Sequence, residues 1–346
     1  MGETTNQNRT PLLPDRHQVG DFFVCDIFDA APKGDMASME HPIYSISTKP
    51  DRRIRRYENG HNYIEIQPSA KGLATVHDRD VLIFCISQIM AAVNQGCRVE
   101  RTVRLKAYDL LVATNRPTGG ESYARLKDAF ERLRGTTIVT NIITGEEEIT
   151  EGFGLIDRFR IVRETRDGRM LDIEITLSDW VFNAIRSNEV LTISRDYFRL
   201  RKPLERRLYE LARKHCGTKA SWKISLELLQ RKCGSNSSSR EFRRLVSMIV
   251  RDDAEHHHIP DYSLGLEGEY LVFQSRGTVP DKGKLPDHGA TIGPLDPDTY
   301  ETARALAPGW DVYVLEQEWR AWMTEPPRNP DAAFLGFCRK RGPCRR

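Results

Sequence analysis

One stretch of this sequence is laid out twice. WKISLELLQRKCGSNSSSREFRRLVSMIV, from Trp222, lies on TVRLKAYDLLVATN and the residues after it at a constant spacing of 119, with no gap. Leu105 falls on Ile224, Leu110 on Leu229, Tyr123 on Phe242, Leu126 on Leu245 and Phe130 on Ile249. Apolar matches between two helices arise often by chance. An unbroken register through a strand, a helix, a turn and a second helix is stronger, and it marks a repeated structural unit. Among the polar positions the same register sets Arg125 on Arg244.

The periodicities within each copy predict its elements. In the first, RTVRL is a short strand, KAYDLLVAT a short helix, and Arg116, Pro117, Thr118, Gly119 and Gly120 a turn. In the helix that follows, Tyr123, Leu126, Phe130 and Leu133 share one face, leaving Ser122, Arg125, Lys127, Glu131 and Arg132 off it. Strands are expected over 136–143 and 152–163, joined by the polar loop TGEEEITE, and over 169–177, where Leu171, Ile173, Ile175 and Leu177 alternate with polar positions. A strand at 62–69 and a helix at 77–94 precede this block, and a helix at 179–187 closes it. In the second copy a helix at 201–215 leads, and strands at 261–266 and 269–274 follow, joined around Glu267 and Gly268. This is the order of a winged helix, a helix-turn-helix with a β-hairpin behind it. The expected fold is therefore α+β, two tandem winged-helix domains with a small α-helical C-terminal module. The strand after Gly135 is expected to begin the sheet and wing of the first.

A chain of 346 residues suits such a modular plan, at about 150 residues per domain. The expected boundaries are a disordered arm at 1–18, a first winged-helix domain with a β extension at 19–190, a second at 191–276, a linker at 277–297 and the helical module at 298–346. No apolar run reaches the roughly 18 residues that span a bilayer, and the polar start has no apolar signal-peptide core, so a cytoplasmic location is expected. Seven scattered cysteines with no CxxC pair indicate free thiols and no structural zinc. Net charge is only +3, but between Arg195 and Arg251 there are 16 Lys/Arg against 5 Asp/Glu, whereas Asp296 to Asp331 holds 8 acidic residues and 3 basic. The middle of the chain is basic and the tail acidic.

A helix-turn-helix offers its second helix to the major groove, about 12 Å wide, and arginine suits the base edges because its planar fork bonds guanine O6 and N7 together. The candidates are Arg116, Ser122, Arg125 and Arg132 in the first unit and Ser239, Arg240, Arg243 and Arg244 in the second. On one helix alone these arginines read as a solvated face; a second equivalent helix within a basic region turns the reading toward DNA. Ser237, Ser238 and Ser239 either cap that helix or bind a phosphate. Arg158 and Arg160, with Arg163, either lie along the DNA backbone as a wing or form an exposed sheet face. Arg52, Arg53, Arg55 and Arg56 form either a minor-groove or phosphate-binding arm or a solvated turn. In the tail, Trp310, Trp319 and Trp322, with Phe334 and Phe337, either make the module's own core or anchor a partner protein.

Catalytic motifs fail. In GTVPDKGKL the glycines Gly277 and Gly283 are one residue too far apart for a phosphate loop, and Lys284 precedes Leu285 in place of Ser/Thr. His256, His257 and His258 read as a hydrated loop beyond a helix's polar end. No enzyme activity, cofactor or metal is expected.

Three phrases carry a resemblance: DRHQVGDFFVCDIFDAAPKGDMASMEHPIYSIST, LSDWVFNAI and LRKPLERRLYELARKHCG. Together, over roughly residues 15–275, the chain resembles the plasmid replication initiator protein A family of proteobacteria. The resemblance implies a tandem winged-helix protein without a catalytic site. It would bind repeated sequences in double-stranded origin DNA, melt a nearby AT-rich stretch and help load the host helicase. The partners so implied are the origin repeats, the host helicase or its loader, the host initiator and, in the repressing state of such proteins, a second copy in a homodimer. A winged-helix transcriptional repressor, autoregulatory or not, and a strand-nicking replication enzyme are the rival readings. FLGFCRKR resembles, more loosely, C-terminal modules of some plasmid replication and mobilisation proteins, implying contact with host replication machinery.

Overall fold

The computed structural model describes residues 10–17, 22–25, 42–59, 62–94, 97–144, 147–163, 170–186, 190–279, 295, 297–308, 315–316, 319, 327 and 329–342. Two compact units result, one of residues 1–88 and 100–279 and the other of residues 89–99 and 280–346. In chain order the elements are β1 (Phe22–Cys25), β2 (Arg55–Asn59), β3 (Asn62–Gln67), α1 (Arg79–Asn94), β4 (Thr102–Lys106), α2 (Ala107–Ala113), α3 (Gly120–Gly135), β5 (Thr137–Thr144) and β6 (Glu147–Gly154). After these come β7 (Ile156–Arg163), β8 (Met170–Leu177), α4 (Asp179–Arg186), β9 (Val190–Ile193), a 3-10 turn (Arg195–Arg199), α5 (Pro203–His215), β10 (Ser221–Ser225), α6 (Leu226–Cys233) and α7 (Ser239–His256). The last are β11 (Tyr262–Glu267), β12 (Tyr270–Ser275), α8 (Pro297–Leu306) and α9 (Pro330–Arg341).

The first unit contains one topology twice. Thr102 and Ser221 start β4 and β10, Ala107 and Leu226 start α2 and α6, and Gly120 and Ser239 start α3 and α7, each pair 119 residues apart. Each block closes with a hairpin whose return strand sits in the middle of an antiparallel three-stranded sheet, in the orders β4-β8-β7 and β10-β12-β11. The fold is mixed α+β. Ile173, Ile175 and Leu177 bury the inner face of β8, and Phe130 of α3 meets Phe159 of β7 with ring centroids 5.6 Å apart. Ser225 and Ser238 cap α6 and α7 through their hydroxyls, which accept from the N–H groups of Leu228 and Glu241 at 3.3 Å. Ser238 is therefore the cap that the serine run contains, and Ser239 is left exposed in the first turn.

Three expectations need correction. The strand after Gly135 does not enter the wing: β5 pairs with β3, and residues 147–151 of the expected loop TGEEEITE belong to β6, so these strands form a separate sheet of order β2-β3-β5-β6. β6 is an edge strand, where glutamates need no apolar alternation. Gly135 sits at this branch for closeness; a Cβ there would come within 2.5 Å of the Ser69 Cβ. The expected domain boundary at 190/191 does not hold, because β9 (Val190–Ile193) spans it and pairs with β1. The N-terminal stretch expected to be disordered is, over 10–17, stitched down. Leu12 bridges to Leu200, the Leu13 N–H donates to the Arg199 carbonyl at 2.7 Å, and the Arg16 N–H donates to Asn115 Oδ1 at 2.8 Å.

The two copies are joined through buried charge. Asp80, 1% exposed at the start of α1, accepts from Arg206 Nη1 of α5 at 2.6 Å and from Arg116 Nη2, in the turn before α3, at 2.9 Å. Arg206 also donates to the Leu200 and Phe198 carbonyls and lies 4.9 Å from the Tyr197 ring centre. Burial opposes its charge, but Asp80, Tyr197 and Glu210 around it raise its pKa. Glu210 in turn pairs with Arg79 at 2.7 Å and accepts from the Tyr197 hydroxyl at 2.7 Å.

In the second unit Leu295, Ala303, Ala307, Leu315, Trp319, Phe334 and Cys338 form one small core. Trp319 and Phe334, 2% and 0% exposed and 5.4 Å apart between ring centroids, belong to that core and are closed to a partner. Phe337 is half-buried, with the Arg341 guanidinium over its ring. Trp310 and Trp322 lie outside the described residues.

Candidate nucleic-acid interface

α7 has two opposite stripes. Phe242, Val246, Ile249 and Asp253 face the core, spaced four, three and four residues apart. Arg240, Arg244, Ser247 and Arg251 follow the same spacing on the other side, and the three arginines are exposed. Between Ser239 and Arg251 only Glu241 opposes four arginines. Arg244 bonds Glu241 at 2.7 Å yet keeps 57% of its side chain in solvent; that hydrogen bond holds the Glu241 carboxyl below its usual range. Arg240, at the N-terminal turn, has no ion-pair partner among the described residues. Arg243 lies on the flank, donating to the Gly268 carbonyl at 3.0 Å and pairing with Glu269, so it fixes the tip of the β11–β12 hairpin to the helix.

α3 is turned differently. It buries Leu126, Ala129, Phe130 and Leu133, whereas the buried stripe of α7 corresponds, 119 residues back, to positions 123, 127, 130 and 134. At 100° per residue the two buried faces differ by about 80°. Leu245 is accordingly half-buried although Leu126 is enclosed, and Tyr123 is half-buried although Phe242 is enclosed. The turn also changes what points outward. Glu121, Ala124 and Asp128 occupy the outer side of α3, with Arg125 on its flank, 2.5 Å from Glu121. Lys71 pairs with both Asp128 and Glu131, and Lys127 meets Glu131 at 3.4 Å. The outer face of α3 is neutralised by its own neighbours, and that of α7 is basic.

Two predicted readers are occupied elsewhere. Arg132 donates Nε and Nη2 to the two oxygens of Asp78, both at 2.7 Å, and its side chain is 22% exposed. Arg116 donates to Asp80 and, at 2.5 Å, to the His77 carbonyl. Both are aimed inward because a buried carboxylate waits for each, so they brace the turn and α3 and do not face solvent. Burial and the nearby charges of Arg206 and Arg116 press the His77 imidazole down to about 3, so it is neutral there. Ser122 is half-buried at the start of α3, its N–H donating to the Gly119 carbonyl at 2.9 Å.

Arg158 and Arg160 stand on the outer face of the β4-β8-β7 sheet, beside Arg104 and around Glu174, in a groove of about 620 Å³. Glu174 holds Arg104 at 3.1 Å and Arg160 at 3.7 Å, so this is a mixed-charge sheet face; residues 164–169 lie outside the described residues. Two features escaped the sequence reading. Arg251 completes the basic stripe, and its spacing from Arg240 and Arg244 is the signal that could have found it. His258, read as part of a hydrated loop, is 2% exposed and bonded to Glu205 at 3.2 Å. Burial works against the Glu205 charge, but His258 and Lys202 outweigh it and lower its pKa. Among the described residues no group of three His, Cys, Asp or Glu is placed to hold a metal ion, and no helix is long and apolar enough to cross a membrane.

A stripe of exposed guanidinium groups opposite a buried face is chemistry suited to a polyanionic helix. The crystal structure of RctB domains 2–3 superposes on 67% of this chain and 94% of its own, with a TM-score of 0.50 at 15% identity, a likeness of fold. A protein of Wigglesworthia glossinidia brevipalpis named "Putative replication protein" is 34% identical over 276 residues, which is 78% of this chain and 98% of that one. The family model described as replication initiator protein A matches residues 33–264, from the N-terminal segment through both repeats as far as β11. With a match of that extent and a relative of that identity, the chain belongs to the replication initiator protein A family.

Proposed function

We propose that the protein starts replication by binding repeated sequences in duplex DNA through two winged-helix domains, and that α7 is the principal reading helix. The observation that carries this is the outward stripe of Arg240, Arg244 and Arg251, set opposite a buried core stripe and begun at the helix N-terminus by an arginine without an ion-pair partner among the described residues. Arg240 and Arg244 reach base edges, Ser239 and the first free N–H groups take a phosphate, and Arg243 keeps the hairpin tip beside the same groove. α3, its outer charges satisfied, contributes through Arg125 and through orientation, which the buried Asp80 junction holds fixed. Binding is stoichiometric and no catalytic step is involved. Several bound copies deform the duplex and open a neighbouring AT-rich stretch, and the C-terminal module meets host replication proteins.

The test is a footprint on the replicon that encodes the protein. Protection of several direct repeats beside an AT-rich region, with permanganate-reactive thymines appearing there, is the expected result. One protected inverted repeat over a promoter, with no opening, makes the protein a repressor. A covalent protein–DNA adduct on supercoiled plasmid with Mg²⁺ makes it a nicking enzyme.

A further inference from the structure

The sequence PDRRIRR looks like one basic run, but the structure splits it. Arg55 is buried, donating to the Pro42 carbonyl at 3.2 Å and to Asp51 Oδ2 at 2.8 Å. Arg56 is taken by Glu58 and Glu65 and lies 4.2 Å from the Tyr63 ring centre. Arg52, Arg53 and Ile54 remain, all exposed, with Ile54, at 60%, one of the few large apolar residues so open to solvent among the described residues. The Arg53 side chain is 62% exposed although it shares Asp51 with Arg55.

What gives this tip meaning is where Arg55 is held. Gly234, the left-handed residue (φ +62) in the turn between α6 and α7, lies so close to this loop that a Cβ there would come within 2.6 Å of Pro42 Cγ and 2.7 Å of Arg55 Nη1. The loop is seated on the turn that delivers α7, and Ile54 is one peptide unit, about 3.8 Å, along the chain from Arg55. Two exposed arginines beside an open isoleucine, next to the start of a basic helix, match the composition of side chains that enter a minor groove and wedge a base step.

We propose that Arg52, Arg53 and Ile54 form a third DNA-contacting element, entering the minor groove next to the major groove occupied by α7. The arginines lie along the phosphates and Ile54 presses against a base step. This rests on the reading of α7 as a DNA-binding helix, and the experiment separates the two. p-Benzoylphenylalanine is placed at position 54 in one full-length variant and at position 240 in another, and each is irradiated with fluorescein-labelled 40-bp duplexes tiling the replicon's non-coding DNA. Crosslinks from both positions to one fragment are expected, with the position-54 adducts mapping beside those from 240. With an Arg52→Ala/Arg53→Ala variant, the slope of log K against log salt should become shallower by about 1.8, since each lost phosphate contact removes about 0.9. Crosslinking from 240 without crosslinking from 54, together with an unchanged salt slope, overturns the third element and leaves α7 standing. No crosslink from either position overturns both.

Discussion

Replacing Asp80 by Asn should remove a large fraction of this protein's stability. Asp80 is 1% exposed and answers two guanidinium groups with its two oxygens, Arg206 at 2.6 Å and Arg116 at 2.9 Å. Asparagine keeps the shape, but it removes the charge and turns one acceptor into a donor that faces a guanidinium. Arg206, whose side chain is 3% exposed, would then sit in the interior without this counter-ion. Removing one partner of a buried pair costs about 3–5 kcal/mol, because the remaining charge stays desolvated. The Arg116 contact, 21% exposed on the arginine side, adds at most about 1 kcal/mol. Against a typical stability of about 5–15 kcal/mol this is a large fraction, visible in urea denaturation followed by far-ultraviolet circular dichroism. Arg206→Met alone should cost less, since Asp80 keeps Arg116. Adding Arg206→Met to Asp80→Asn should restore stability relative to Asp80→Asn, because both buried charges are then gone. A loss under about 1 kcal/mol for Asp80→Asn, or a double variant whose loss is the sum of the singles, would refute the view that this junction is held by paired buried charge.

Arg132→Ala should lower stability by about 1–3 kcal/mol, having lost a charged, two-pronged bond to Asp78, whereas Arg240→Ala/Arg244→Ala should leave the melting temperature unchanged. Gly234→Ala should destabilise clearly more than Gly268→Ala: both glycines have φ near +60, which costs an L-residue about 1–2 kcal/mol, but only at 234 does the new Cβ also run into Pro42 and Arg55. Burial raises the Asp51 pKa, yet hydrogen bonds from Arg53 and Arg55 outweigh it and bring the carboxyl from 3.8 to about 2. A depressed carboxylate stabilises above its unfolded pKa, so the advantage of the wild type over Asp51→Asn should be steady at neutral pH and shrink as pH falls from about 4 to about 2. A gap constant across that window would contradict this assignment.

The repeat was legible because it is local. Strand, helix, turn and helix each carry their own period, and the spacing of 119 between Thr102 and Ser221 needs no knowledge of the remainder of the chain. The destination of β5 was not, since pairing with β3 is decided by residues far upstream, such as Ile64 opposite Thr140. The Glu-rich start of β6 looked like a loop because an edge strand can carry charge on its open side.

The rotation of α7 was hidden for a different reason. Leu245 and Val246 are both apolar and adjacent, so the sequence cannot say which of them the core takes. The end of the buried stripe is Asp253, which no apolar pattern would include. Asp253 is tolerated there because it accepts from the N–H groups of Ile259 and Leu264 and pairs with Arg276 at 3.1 Å. The candidate arginines were equally alike on paper. Arg125 and Arg132 differ only in that Asp78, far back in the chain, stands within reach of one of them. Composition found the basic region, and only packing separates the side chains turned inward from those turned outward.

The most direct test of the account is equilibrium binding to the footprinted repeat across a salt series, with wild type, Arg125→Ala and Arg240→Ala/Arg244→Ala. If α7 is the principal reader, the double variant loses tens-fold in affinity or more and its preference for the repeat over random duplex falls sharply, whereas Arg125→Ala stays within a few-fold of wild type. Wild-type affinity and preference in the double variant, or a greater loss in Arg125→Ala, would contradict it.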